Sequence, residues 1–116
     1  MNRIVVARWI LLVGLAFVFL YFGVDKFTHP KTWIGWMPDG MNGMMGMRNN
    51  GWMQIVAVTE IIIAIMFLVP VRSIQRTASV FGSLHLLAIL TQVGWNDIAV
   101  RDIGLLLMSV SVWFVL

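Results

Sequence analysis

Four apolar stretches, at about 4–24, 52–71, 78–95 and 98–116, occupy most of this chain of 116 residues. At about 1.5 Å of rise per helical residue each reaches roughly 27 to 32 Å, the thickness of a bilayer's hydrocarbon core. The stretches therefore predict an all-α integral membrane protein, a four-helix transmembrane bundle running up-down-up-down. The two later connections are short and force antiparallel neighbours. With 60% of residues hydrophobic and only 11% charged, the chain has more apolar surface than a soluble domain of this size could bury. It shows no repeat and no linker, so one domain covers 1–116.

The first stretch follows Arg3 and Arg8 as the apolar part of a secretory signal would. It is too long for that, and Tyr21, Phe22 and Phe27 stand where a cleavage site needs small residues. It is read as a retained helix. The connection at 25–51 is long and contains Pro30, Pro38 and five glycines. Its segment from Thr32 to Met37 is apolar enough to lie in the interface, so an external loop over the outer mouth is expected.

Orientation rests on the basic residues. With the N-terminus inside, Arg3, Arg8, Arg72 and Arg76 are cytoplasmic, while Lys26, Lys31, Arg48 and Arg101 lie on or near the other face. That count is a tie. Asp25, Asp39 and Asp97 all fall on the second side, which favours cytoplasmic termini in a multi-pass plasma-membrane protein. Trp9 and Trp113 then mark one interface, and Trp33, Trp36, Trp52 and Trp95 the other. The net charge of +3 follows from basic residues flanking membrane helices and does not indicate a nucleic-acid partner. Cysteine is absent, which excludes thiol nucleophiles, thiolate-held clusters and disulfide exchange.

Two carboxylates, Glu60 and Asp102, lie inside apolar stretches. An isolated charge there costs from about 2.5 to well over 10 kcal/mol, so pairing is expected. Helical spacing puts Gly14, Val18, Tyr21 and Asp25 on one face of the first helix, and Met53, Ala57, Glu60 and Ala64 on one face of the second. Small neighbours turn Glu60 toward the bundle. The third helix has a stripe of Ala78, Gly82, His85, Gln92 and Asn96. The fourth has Asp97 and Arg101 one turn apart, with Asp102 and Ser109 on an adjacent face.

Glu60, Arg101 and Asp102 are thus expected to converge, with a carboxylate within salt-bridge reach of Arg101. His85, Asp97, Asp25 and Lys26 complete the polar network. It has two readings: an ion network that holds helices together, or the lining of a proton or quinone site where His85 and Glu60 supply a hydrogen-bond donor and a protonatable group. A bis-His haem is disfavoured, because His29 lies beyond the external end of the first helix. Met37, Met41, Met44, Met45, Met47 and Met53 crowd into one stretch of 17 residues, all but Met53 in the long connection. Thioethers from Met41, Met44, Met45 and Met47 could gather around Cu(I); the other reading is an adaptable apolar surface for a partner or the membrane.

Phe22-Gly23-Val24-Asp25-Lys26-Phe27, then Pro30 and Trp33-Ile34-Gly35-Trp36, Glu60 in an apolar helix, and Gly94-Trp95-Asn96-Asp97-Ile98-Ala99-Val100-Arg101-Asp102-Ile103-Gly104-Leu105-Leu106 form a pattern spanning nearly the whole chain. It resembles the DoxX-like family of small four-helix membrane proteins. The resemblance implies association with membrane redox systems, including subunits of thiosulfate:quinone oxidoreductase and terminal quinol oxidase complexes. Some related members rely on cysteines, and that role does not carry over. The resulting expectation is an accessory or quinone-proximal subunit without self-contained catalysis, partnered by lipid and by other membrane subunits or copies of itself. Copper handling by the Met-rich connection and a purely structural assembly role are the alternatives.

Overall fold

The computed structural model describes residues 2–34, 49–93 and 95–116. Among them there is no strand. The elements are α1 (Arg3–Thr28), a short α2 (Pro30–Ile34), α3 (Asn49–Leu68), α4 (Arg72–Val93) and α5 (Asp97–Val115).

The four long helices form a ring in which α1 packs on α3, α3 on α4, α4 on α5 and α5 on α1. Neighbours run antiparallel. Phe19 and Lys26 of α1 meet Phe67 and Glu60 of α3, Gln75 and His85 of α4 meet Phe67 and Glu60, and Arg76 and Ser79 meet Trp113 and Ser109 of α5. One end of the bundle therefore gathers Arg3, Arg8, Arg72, Arg76 and Trp113, and the other gathers Lys26, Glu60, Asp97 and Asp102. These are called the arginine end and the acidic end.

Helix ends depart from the hydropathy boundaries. Asn2 opens α1 by accepting the amide of Ile4 at 2.8 Å, and the helix runs on to Thr28, so Asp25 and Lys26 are helical instead of loop residues. Helix α4 begins at Arg72, well before Ala78. Asn96 opens α5 by accepting the Ala99 amide at 3.0 Å. Hydropathy marks the part of a helix that suits lipid, and these helices continue beyond it into polar sequence. After α3, Gln75 donates to the carbonyl of Phe67 at 3.1 Å, satisfying an acceptor the helix end leaves open.

Three helices are long and apolar enough to cross a membrane: α1, Gly51–Leu68 of α3, and α5. Four were expected. Helix α4, with 22 residues, has the length but lies outside that set. The cause is its polar content, which includes Arg72, Ser73, Arg76 and Thr77 as well as residues of the inward face. Gln75 and Ser79 are buried and Ser83 and His85 mostly covered, while Val80, Phe81, Leu84 and Leu87 face outward.

The core joins Leu12, Leu15, Ala16 and Phe19 to Ile63, Phe67, Ala78, Leu86, Leu105 and Val112. Large apolar side chains also cover the outside: Ile10 and Phe17 are 68% exposed, Phe114 80%. A surface this apolar calls for lipid or a partner. The closest seam is between α1 and α3, where a Cβ on Gly23 would stand 2.7 Å from Ile61 Cγ1 and 3.0 Å from the Ala57 carbonyl oxygen. That approach brings the next turn of α1, with Lys26, against α3.

Candidate functional site: a buried charge cluster

One turn beyond Gly23, Lys26 enters the bundle and its ammonium stands 2.6 Å from Glu60 Oε1. Both side chains are at least nine-tenths buried. Glu60 sits between Ala57 and Ala64, and the whole predicted face, Met53 included, is buried. From α4, His85 Nε2 approaches the same Glu60 oxygen at 3.5 Å. Phe19 packs against the imidazole ring. A single carboxylate oxygen thus lies between two nitrogen bases from two other helices.

Lys26 is enclosed from the acidic end. Its Nζ lies 4.1 Å from the centroid of the Trp33 ring, close enough for a cation–π contact. Helix α2 is fastened there by Asp25, whose Oδ2 accepts the Trp33 indole N–H at 2.7 Å while Oδ1 meets His29 Nδ1 at 3.0 Å. Asp25 is therefore a fastener for α2 and does not join the interior cluster. Tyr21, assigned to its face, is 57% exposed.

Arg101 and Asp102 form the second pair. The guanidinium holds Asp102 Oδ1 through Nε at 3.1 Å and Nη2 at 3.0 Å and lies 4.3 Å from the centroid of the Phe22 ring. Asp102 is buried and interacts electrostatically with Glu60 and Lys26. The expected carboxylate contact of Arg101 is present, but its partner is the adjacent residue. Glu60 pairs with Lys26 and His85 and not with Arg101. Asp97 is exposed in the first turn of α5, where a negative charge suits the helix terminus, so it too lies outside the network.

Several buried atoms of this region make no directional hydrogen bond among the described residues: Glu60 Oε1, His85 Nε2, Asp102 Oδ2 and Trp52 Nε1. Lys26 and His85 reach Glu60 at ionic range without hydrogen-bond angles. The cluster is held by charge.

A groove runs along the outside of the α3–α4 seam to this cluster. Its volume is about 450 Å³, and it is lined by Thr59, Ile62, Ile63, Met66, Phe81, Leu84 and His85. The walls are apolar apart from Thr59 and the imidazole. On the far side of α4, Ser79 Oγ donates to the Ser109 carbonyl at 2.6 Å, Ser109 Oγ returns a bond to the Ser79 carbonyl at 3.2 Å, and Ser83 Oγ donates to Ser109 Oγ at 3.2 Å. The buried serines of α4 and the Lys26–Glu60 pairing are features that spacing had not singled out. Gly23 and Lys26, three residues apart on one face, were the available signal.

No group of three or more His, Asp or Glu side chains with metal-holding geometry occurs among the described residues. Met41, Met44, Met45 and Met47 lie outside the described residues, as does the side chain of Gln92. Met53 is a core residue of α3. Compared with models of protein families, with curated proteins and with solved structures, the chain matches none.

Proposed function

We propose that this chain is a four-helix subunit of a membrane redox complex that holds a quinone beside His85, the redox centre being carried by another chain. The reading is supported by the apolar groove that ends at an imidazole backed by Glu60 and Lys26. A quinone is a flat apolar ring whose carbonyl oxygens require a donor, and its two-electron reduction takes up two protons. A lipid-facing groove admits the ring, the His85 imidazole in its wall is the donor for a carbonyl oxygen, and Glu60, which faces the buried Nε2 of that imidazole, is the adjacent group that can exchange a proton with it. With no cysteine and one histidine inside the bundle, the electrons must come from a partner. The likeness to DoxX-like proteins agrees with this assignment.

In this reading α4 is the fourth crossing. Its Gln75, Ser79, Ser83 and His85 turn inward, toward Phe67, Ser109 and Glu60, and Val80, Phe81, Leu84 and Leu87 on its outer face suit lipid. The ion pairs also bear on the orientation. Lys26 and Arg101 are matched by Glu60 and Asp102, whereas Arg3, Arg8, Arg72 and Arg76 form no ion pair among the described residues. Unmatched positive charge then favours the arginine end as the cytoplasmic one, with both termini there.

The test is quinone retention. Membranes solubilised in mild detergent should yield the chain together with cofactor-bearing subunits and quinone, and Leu84→Trp, which fills the groove from an exposed position, should lower the quinone content severalfold without changing thermal stability. Quinone at background level in the wild-type preparation would refute the proposal.

A further inference from the structure

The arginine end is basic, and among the described residues no carboxylate side chain pairs with its arginines. Arg3 and Arg8 enter with α1, Arg72 and Arg76 with α4, and α5 brings Trp113. The described carboxylate side chains all lie toward the other end. Glu60 is level with His85, nine residues and about 13 Å along α4 from Arg76. Asp102 is eleven residues and about 16 Å along α5 from Trp113.

Arg76 is held in position. Its guanidinium lies 5.3 Å from the centroid of the Trp113 ring, and its buried Nε has no hydrogen-bond partner among the described residues. Arg72 is exposed one turn earlier on the same helix, within reach of the same ligand. Farther along the bundle, Val80 and Val110 are exposed and apolar, and Phe114 is exposed beside Trp113. The order along the bundle axis is therefore Arg72, then Arg76 level with the Trp113 indole, then the exposed apolar surface of Val80 and Val110.

We propose that this end is a binding surface for the headgroup of an anionic phospholipid, with the phosphate held by Arg72 and Arg76 and the acyl chains lying along the outer faces of α4 and α5. The inference uses the membrane reading but not the quinone. Arginine forks match phosphate oxygens, and four positive groups with no paired carboxylate side chain among the described residues favour a net negative headgroup. A zwitterionic headgroup carries its own ammonium, which these arginines repel.

The test is lipid binding by the intact chain in detergent, followed by native mass measurement and thermal unfolding while phosphatidylglycerol or phosphatidylcholine of identical acyl chains is titrated in. Phosphatidylglycerol should remain bound and raise the melting temperature more. Arg72→Gln and Arg76→Gln should each weaken its binding roughly fivefold, and together about 25-fold, at the contribution of one basic residue near an anionic surface. Lys31→Gln, at the acidic end, should bind like the wild type. The single variants keep the test readable if the double variant does not fold. Equal binding of the two lipids, an undiminished preference in Arg72→Gln and Arg76→Gln, or equal stabilisation by inorganic phosphate would overturn the proposal.

Discussion

Two helix seams in this bundle are joined by different chemistry. Between α1 and α3 the joint is a buried ion pair, Lys26 with Glu60, beside a glycine contact. Between α4 and α5 the buried joint is neutral, with Ser79, Ser83 and Ser109 bonding hydroxyl to carbonyl and hydroxyl to hydroxyl, and the Arg76–Trp113 contact lies nearer the end of the seam. The serine joint does what adhesion requires at little desolvation cost. The charged joint is an inefficient way to adhere, since a buried pair recovers little more than the cost of taking both charges out of water. Helices can be held without it, and that contrast directs functional attention to Glu60.

The sharpest way to break the comparison is to remove half of the pair. Lys26→Met should destabilise by about 3 to 5 kcal/mol, because it leaves Glu60 buried without its closest cation. Lys26→Met combined with Glu60→Leu should recover most of that loss. Thermal unfolding of both variants in one detergent reads the result, and strictly additive losses would remove the distinction between the seams.

Gly23→Ala comes next. Its methyl group would meet Ile61 and the Ala57 carbonyl, and overpacking of this kind costs about 1 to 3 kcal/mol. Gly14→Ala and Gly104→Ala, where a Cβ meets nothing within 4 Å, should instead be neutral or stabilising by up to about 1 kcal/mol. A loss as large at Gly14 as at Gly23 would show that helix propensity, not the seam, sets the response.

At the serine seam, Ser109→Ala removes a bond given to Ser79 and one received from Ser83, and should cost about 0.6 to 2 kcal/mol. Ser111→Ala, whose hydroxyl bonds only within α5 at an exposed position, should change the melting temperature least. If Ser109→Ala proved as damaging as Lys26→Met, the two joints would be energetically alike.

The same seams show what could be read without coordinates. The α3 face of Met53, Ala57, Glu60 and Ala64 was legible, because a single charge among small residues has only one direction in which to find a partner. The α1 face was not. Nearly every position between Ile4 and Val24 is apolar, so periodicity carries little information, and Tyr21 and Asp25 were placed on a face that the bundle leaves outside. The interior face is that of Phe19, Gly23 and Lys26. The Arg101–Asp102 pair escaped spacing for another reason. Adjacent residues diverge on a helix, and only the length of the arginine side chain brings its guanidinium back. Helix α4 was read as a crossing on its apolar part alone, and its serines counted for nothing until Ser109 was seen opposite them.

Gly23 also constrains how the chain can vary. A larger residue there displaces α1 from α3 and stretches the Lys26–Glu60 contact one turn away, so the two positions cannot drift independently. Shrinking Ile61 offers only partial relief, because the second obstacle is the backbone oxygen of Ala57, which no substitution removes. A lineage that lost this glycine would be under pressure to discharge Lys26 and Glu60 together, and the order of those steps would be dictated by which intermediate still folds.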